Sequence, residues 1–173
     1  MGSELKILNR RTGFTLIELM VVLVIVSISM MLVIPRLPSS DASKLRSSAR
    51  SLASTIRYLG ENSVTGRVPY RLQFNISDAS VVVARRTADG GEATPDDVFL
   101  TKRILAEGIA IEAVLTSRLG TVKEGQVLLD FGPAGMAEFV SIHLQSGSGK
   151  YTVTAFPGSG KVRIYEGYQE AEQ

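Results

Sequence analysis

The 173-residue chain contains no cysteine. Disulfides, thiolate metal sites and cysteine nucleophiles are therefore excluded, while the redox compartment stays open. Histidine is almost absent too: His143 stands alone, cannot complete the usual metal sets, and belongs to no diagnostic Ser-His-Asp spacing, so a structural or surface role is expected of it. Charge is missing from one long stretch, because Glu18 is the only charged residue from Phe14 to Ile34. The rest is ordinary: with 45% hydrophobic and 21% charged residues the chain is too apolar for disorder, and its length suits one domain with an appendage.

The apolar run from Phe14 to Ile34 has 21 residues, about 30 Å as a helix, which is enough to cross a bilayer core. Lys6, Arg10 and Arg11 precede it, with Glu4 the only acid there. That asymmetry keeps the N-terminus cytoplasmic and sends everything after Pro35 across the membrane. A secretory signal peptide is the competing reading, with Ser40-Asp41-Ala42 as a loose cleavage pattern, but its apolar core runs only about 7–15 residues and lacks charge.

Glu18 needs an explanation. A carboxylate at the centre of a membrane helix costs roughly 2.5–3.5 kcal/mol, less near an interface, and usually marks a partner or a function. The plain account is an acid in the first helical turn, favoured by the helix dipole. Its surroundings suggest more: a short basic leader ending in Gly13, then Phe14, Thr15, Leu16, Ile17 and Glu18, then apolar residues up to Pro35. This "GFTLIEL" resembles the class III signal of type IV pilins and type II secretion pseudopilins at every position. The resemblance implies that a prepilin peptidase cuts between Gly13 and Phe14 and methylates the new Phe14 amine. It also implies that the Glu18 carboxylate of an incoming subunit pairs with the Phe14 amine of a neighbour in a filament. In a low-dielectric surround such a pair sets register more than it adds stability.

Cleavage would remove three of the 19 basic and one of the 17 acidic residues, leaving sixteen of each. The sequence pI near 9.0 is then partly a property of the leader, which weakens any inference of nucleic-acid binding.

Pro35 and Pro38 each remove a helical hydrogen bond, so a kink is expected at Pro35 before the helix resumes. From Ser43 to about Thr65, Leu45, Ala49, Leu52, Ile56 and Leu59 form one apolar stripe, with Arg46, Arg50 and Arg57 off it, and Gly66 is a plausible stop. Period-two, β-branched segments follow: "VPYRLQFN", "ASVVVARR", "VFLTKRIL", "IAIEAVL", "GQVLLDF", "EFVSIHLQ", "KYTVTAF" and "KVRIYEG" read as eight strands in two antiparallel sheets. "TADGGEATPDD", residues 87–97, reads as a mobile acidic loop in which Asp96 and Asp97 alone make no calcium site. Two "GSGK" segments lack the P-loop's upstream glycine and following hydroxyl, and read as hairpin turns.

The expected fold is α+β and pilin-like, a long N-terminal helix packed on an antiparallel β domain of two sheets. Its parts are a cleaved leader at 1–13, a transmembrane or filament-core helix at 14–35, an amphipathic continuation at 36–66 and a periplasmic β-rich domain at 67–173. Phe131 to Gly135 and Gly160 to Ile164 resemble the C-terminal half of the GspH/FimT family. Within it, resemblance points to a minor pseudopilin of the H type, a structural subunit with no catalytic residue, metal or cofactor. Its implied partners are other major and minor pseudopilins, the prepilin peptidase, the inner-membrane secretion platform and, before assembly, the lipid bilayer. A FimT-type minor type IV pilin, some of which bind DNA, is the alternative. Arg85, Arg86, Lys102 and Arg103 could cluster for it, but Glu166, Glu170 and Glu172 in the tail argue against nucleic acid. A membrane-anchored periplasmic enzyme or ligand-binding module is a third reading, for which the sequence offers no convergent acid, base and nucleophile.

Overall fold

The computed structural model describes residues 14–33 and 40–170. The leader, the expected cleavage residue Gly13 and the expected kinks at Pro35 and Pro38 lie outside the described residues. The chain divides into two compact units, Met1–Pro38 and Ser39–Gln173.

In the first unit, helix α1 spans Leu16–Val33. Leucine, methionine and alanine-like spacing do not decide it; the run of β-branched and aliphatic residues has no polar face at all, and every side chain from Phe14 to Met31 is exposed in the isolated chain. Ser27 and Ser29 donate to the carbonyls of Leu23 and Ile25, both at 2.8 Å, so their hydroxyls are satisfied within the helix itself. Among the described residues no helix is long and apolar enough to cross a membrane. The 18 described residues of α1 reach about 27 Å. Of the expected 21-residue helix, Phe14 and Thr15 are not helical, and Ile34 lies outside the described residues.

The second unit begins with α2, Ser40–Thr65. All five residues of the expected stripe are buried, none more than 2% exposed, while Arg46, Arg50 and Arg57 stay outside. The helix ends as Gly66 donates to the Asn62 carbonyl at 2.8 Å. Ten strands follow: β1 Tyr70–Asn75, β2 Ser80–Arg86, β3 Glu92–Ala93, β4 Ala110–Thr116, β5 Gly120–Val122, β6 Gln126–Gly132, β7 Gly135–Met136, β8 Val140–Ser146, β9 Gly149–Ala155 and β10 Val162–Glu166. They form two antiparallel sheets, in the orders β3-β2-β1-β6-β7 and β10-β9-β8-β4-β5. Helix α2 touches β6 and β7 of one sheet and β8, β9 and β10 of the other. Its stripe joins Leu72, Phe74, Leu129 and Phe131 of the first sheet and Ile142, Leu144 and Val153 of the second in one core.

The expectation of a strand at "VFLTKRIL" is wrong. Asp97 accepts a hydrogen bond from the Phe99 amide at 2.8 Å and caps a short helix, α3, Val98–Thr101. The buried residues of the segment are Leu100, Ile104 and Leu105, while Val98 is 70% exposed; this spacing has no period of two. Loop 87–97 is also more structured than expected. Its Glu92 and Ala93 pair with Arg86 and Arg85, and Glu92 accepts from Arg71 at 2.9 Å and Gln73 at 2.6 Å.

Both "GSGK" segments are turns, as expected. In the first, Ser146 faces Gly149 across a two-residue loop, and Gly147 at φ +56° supplies the positive φ of a type II′ turn. Gly149 serves packing: a Cβ there would sit 3.1 Å from Leu45 Cδ2.

Candidate assembly site

The motif residues that the structure describes lie at the start of α1. Phe14 and Thr15 precede the helix, and Thr15 is its cap. The Glu18 amide donates to the Thr15 carbonyl at 3.1 Å and is 3.3 Å from its hydroxyl oxygen. Thr15-x-x-Glu18 has the spacing of a capping box, in which the glutamate would reach back to the threonine amide. Only the threonine half is made. Among the described residues the Glu18 carboxylate has no hydrogen bond or ion pair, and both it and Phe14 are exposed.

An unengaged acid within an apolar surface is a demand for a cation, since removing it from water without a partner is costly. The helix places Glu18 one turn after Phe14, on a segment where the side chains from Phe14 to Met31 have no apolar cover from the chain itself. An amine created at Phe14 would lie beside the helix N-terminus, where the dipole also favours the carboxylate. Phe14 and Glu18 belong to one short, exposed segment. The Thr15 cap has a sequence signal, T-x-x-E before an apolar run, that was legible without the structure.

The second unit carries its polar groups in structural networks. His143, in central strand β8, is 3% exposed and sits on the face away from α2. Its ring stacks on Tyr168 at 4.1 Å, and Nδ1 lies 3.1 Å from the Thr152 hydroxyl. That hydroxyl donates to the Gly167 carbonyl and accepts from the Gln169 amide, so Nδ1 must be the donor, which fixes the neutral tautomer. Burial lowers the His143 pKa; Glu112 opposes and Lys150 adds to that shift. Glu112 is the extra residue of a β-bulge between Ile111 and Ala113, which turns its side chain toward Lys150, 2.7 Å away.

Arg71 on β1 makes a two-pronged contact with Asp130 of the adjacent β6, at 2.7 and 3.1 Å. The guanidinium holds the Asp130 carboxyl below its ordinary pKa. Arg85 pairs with Asp96 at 3.1 Å. Asp97 caps α3 and also accepts from the Tyr58 hydroxyl of α2. Among the described residues no group of three or more His, Asp or Glu side chains is placed to hold a metal. The motif at the chain start is the candidate site.

Residues 8–34 match the family described as the prokaryotic N-terminal methylation motif. Type II secretion system protein H of Vibrio cholerae is 28% identical over 101 residues, which cover 58% of this chain and 52% of that protein. The chain therefore matches about half the length of this curated relative. Two structures of the minor pseudopilin EpsH from the type II secretion system of Vibrio cholerae share the fold. One has a TM-score of 0.55 at 18% identity, covering 71% of this chain and 97% of that one. The other has a TM-score of 0.59 at 15% identity, covering 74% and 98%. The fold is pilin-like α+β, shared with these EpsH structures.

Proposed function

We propose that this chain is a minor pseudopilin, a structural subunit of the periplasmic filament that drives export of folded proteins by type II secretion. The observation that carries the reading is the methylation motif at residues 8–34 on a chain that shares the fold of EpsH over 71% and 74% of its length. The Glu18 carboxylate, without a partner among the described residues, supports it, because that is the group the assembly chemistry requires.

The sequence of events follows from the residues. The basic leader with Lys6, Arg10 and Arg11 stays in the cytoplasm, and the apolar run through Ile34 lodges in the inner membrane, with the β domain in the periplasm. Prepilin peptidase cuts between Gly13 and Phe14 and methylates the new amine. The chain then leaves the bilayer for a filament, in which Glu18 of one subunit meets the Phe14 amine of another and fixes the axial register. Heterologous contacts of this kind do not close, so they build a helical assembly. Other pseudopilins and the inner-membrane platform are the partners this role requires, and no catalytic step is assigned to the chain. The FimT-type alternative is less favoured, because the curated relative is a type II secretion protein and Asp96 already neutralises Arg85.

The test is the intact mass of the protein from cells with and without a prepilin peptidase. A peptidase-dependent loss of residues 1–13 with one methyl group gained on Phe14 is expected. A mature start near Ser43 would mean an ordinary secreted protein and would overturn the reading.

A further inference from the structure

The outer edge of β2 is paired over only part of its length. Strand β3 meets it at Arg85 and Arg86, and the Thr87 amide extends this pairing to the Gly91 carbonyl at 2.9 Å. Toward the other end of β2, the next partner position opposite Val83 falls on Pro95, which has no amide to donate. There the ladder stops.

The backbone phase of the exposed part follows from the register. The Arg86 amide donates to the Pro69 carbonyl at 2.9 Å, so Arg86 faces β1. In an antiparallel pair the facing alternates, which turns Ala84, Val82 and Ser80 toward β1 and Val83 and Val81 toward the free edge. Among the described residues the amide and carbonyl groups of Val81 and Val83 have no hydrogen-bond partner on that side. A cavity of about 440 Å³ runs along this edge, walled on its far side by Leu100 to Leu105.

Natural edge strands are usually guarded by charge, proline or a bulge. From Ser80 to Ala84 this one has none of these, and its cover is the neighbouring α3, which touches β2. The charge lies across the groove instead: Lys102 and Arg103 line it, are exposed and make no ion pair among the described residues. Asp78 is the acid lining one end, and Asn75 donates to it.

We propose that this edge is a strand-addition site for a partner protein, which inserts an extended segment beside β2. The free groups of Val81 and Val83 give the segment its main-chain hydrogen bonds. Lys102 and Arg103, exposed along the groove, favour acidic side chains in that segment. The site is separate from the Phe14 and Glu18 contact and independent of the filament role proposed for it.

The test uses the full chain in lipid nanodiscs and two seven-residue peptides, one alternating valine with glutamate and the other valine with lysine. Amide exchange is followed residue by residue. The glutamate peptide is expected to slow exchange at Val81 and Val83 in a saturable way, and the lysine peptide to do so more weakly. Reversing both charges, K102E with R103E, should weaken the glutamate peptide by about fivefold, as for two exposed ion pairs, and favour the lysine peptide. Unchanged exchange at Val81 and Val83 with saturating peptide would overturn the site. Equal protection by both peptides before and after charge reversal would overturn the acidic partner, and protection only at another sheet edge would overturn the location.

Discussion

Leu52 of α2 and Leu23 of α1 are the same residue in the same kind of secondary structure, yet one is fully buried and the other 57% exposed. In α2 the apolar side chains fall on one stripe, and two sheets cover it. In α1 they surround the helix, and one stripe could never hide them. A helix apolar on every side belongs in a lipid or protein surround. The stability of α2 therefore comes from within the chain, whereas α1 depends on what the chain is placed in. The single acid of α1, Glu18, has no hydrogen bond or ion pair among the described residues.

This contrast can be broken most directly by truncation. Leu52→Ala should destabilise the second unit by about 2–5 kcal/mol in urea unfolding, the usual loss for a buried leucine. Leu23→Ala should change that unfolding by less than about 0.5 kcal/mol. Equal losses would mean that the two helices share one stabilising environment.

A smaller effect should appear on acidification. Burial depresses the folded-state pKa of His143 below its ordinary 6.5, so the unfolded chain binds the proton more readily. Stability is then fully present above pH 6.5 and falls as the pH drops below it. Unfolding curves at pH 7.5 and 5.5 should show the loss, and His143→Phe, which can keep the stack on Tyr168, should reduce it. The same linkage applies to Asp130 at lower pH: its depressed pKa means that stability is lost as the pH falls below about 4. Smallest of all, Arg71→Met should cost about 0.5–1 kcal/mol, since the Asp130 and Glu92 contacts are partly exposed. A much larger loss would mark the first sheet, and not the α2 stripe, as the main source of stability.

The two helices differ in how openly the sequence declares them. The stripe of α2 was legible because a period of 3.6 residues needs no knowledge of the partner surface. Most strands were legible for the same reason, in period two. Strands β3, β5 and β7 are two or three residues long, too short to show alternation. The segment after Asp97 misled because its β-branched and aromatic residues suit a strand, while a side-chain cap and three irregularly spaced core residues decide its structure. The Arg71 contacts with Asp130 and Glu92 join residues 59 and 21 positions apart, so they depend on strand register, which composition does not reveal. The motif at Glu18 was plain in the sequence, but the freedom of its carboxylate required the structure.

The most direct test of the account is the behaviour of Glu18→Ala in cells that express the other secretion components. Membrane fractionation and site-specific crosslinking would be measured on the same samples. The account predicts that the variant inserts as the wild type does but loses its crosslinks to the other pseudopilins. Crosslinking at the wild-type level would show that the Glu18 carboxylate does not join the subunits, and the assembly role assigned to it would be wrong.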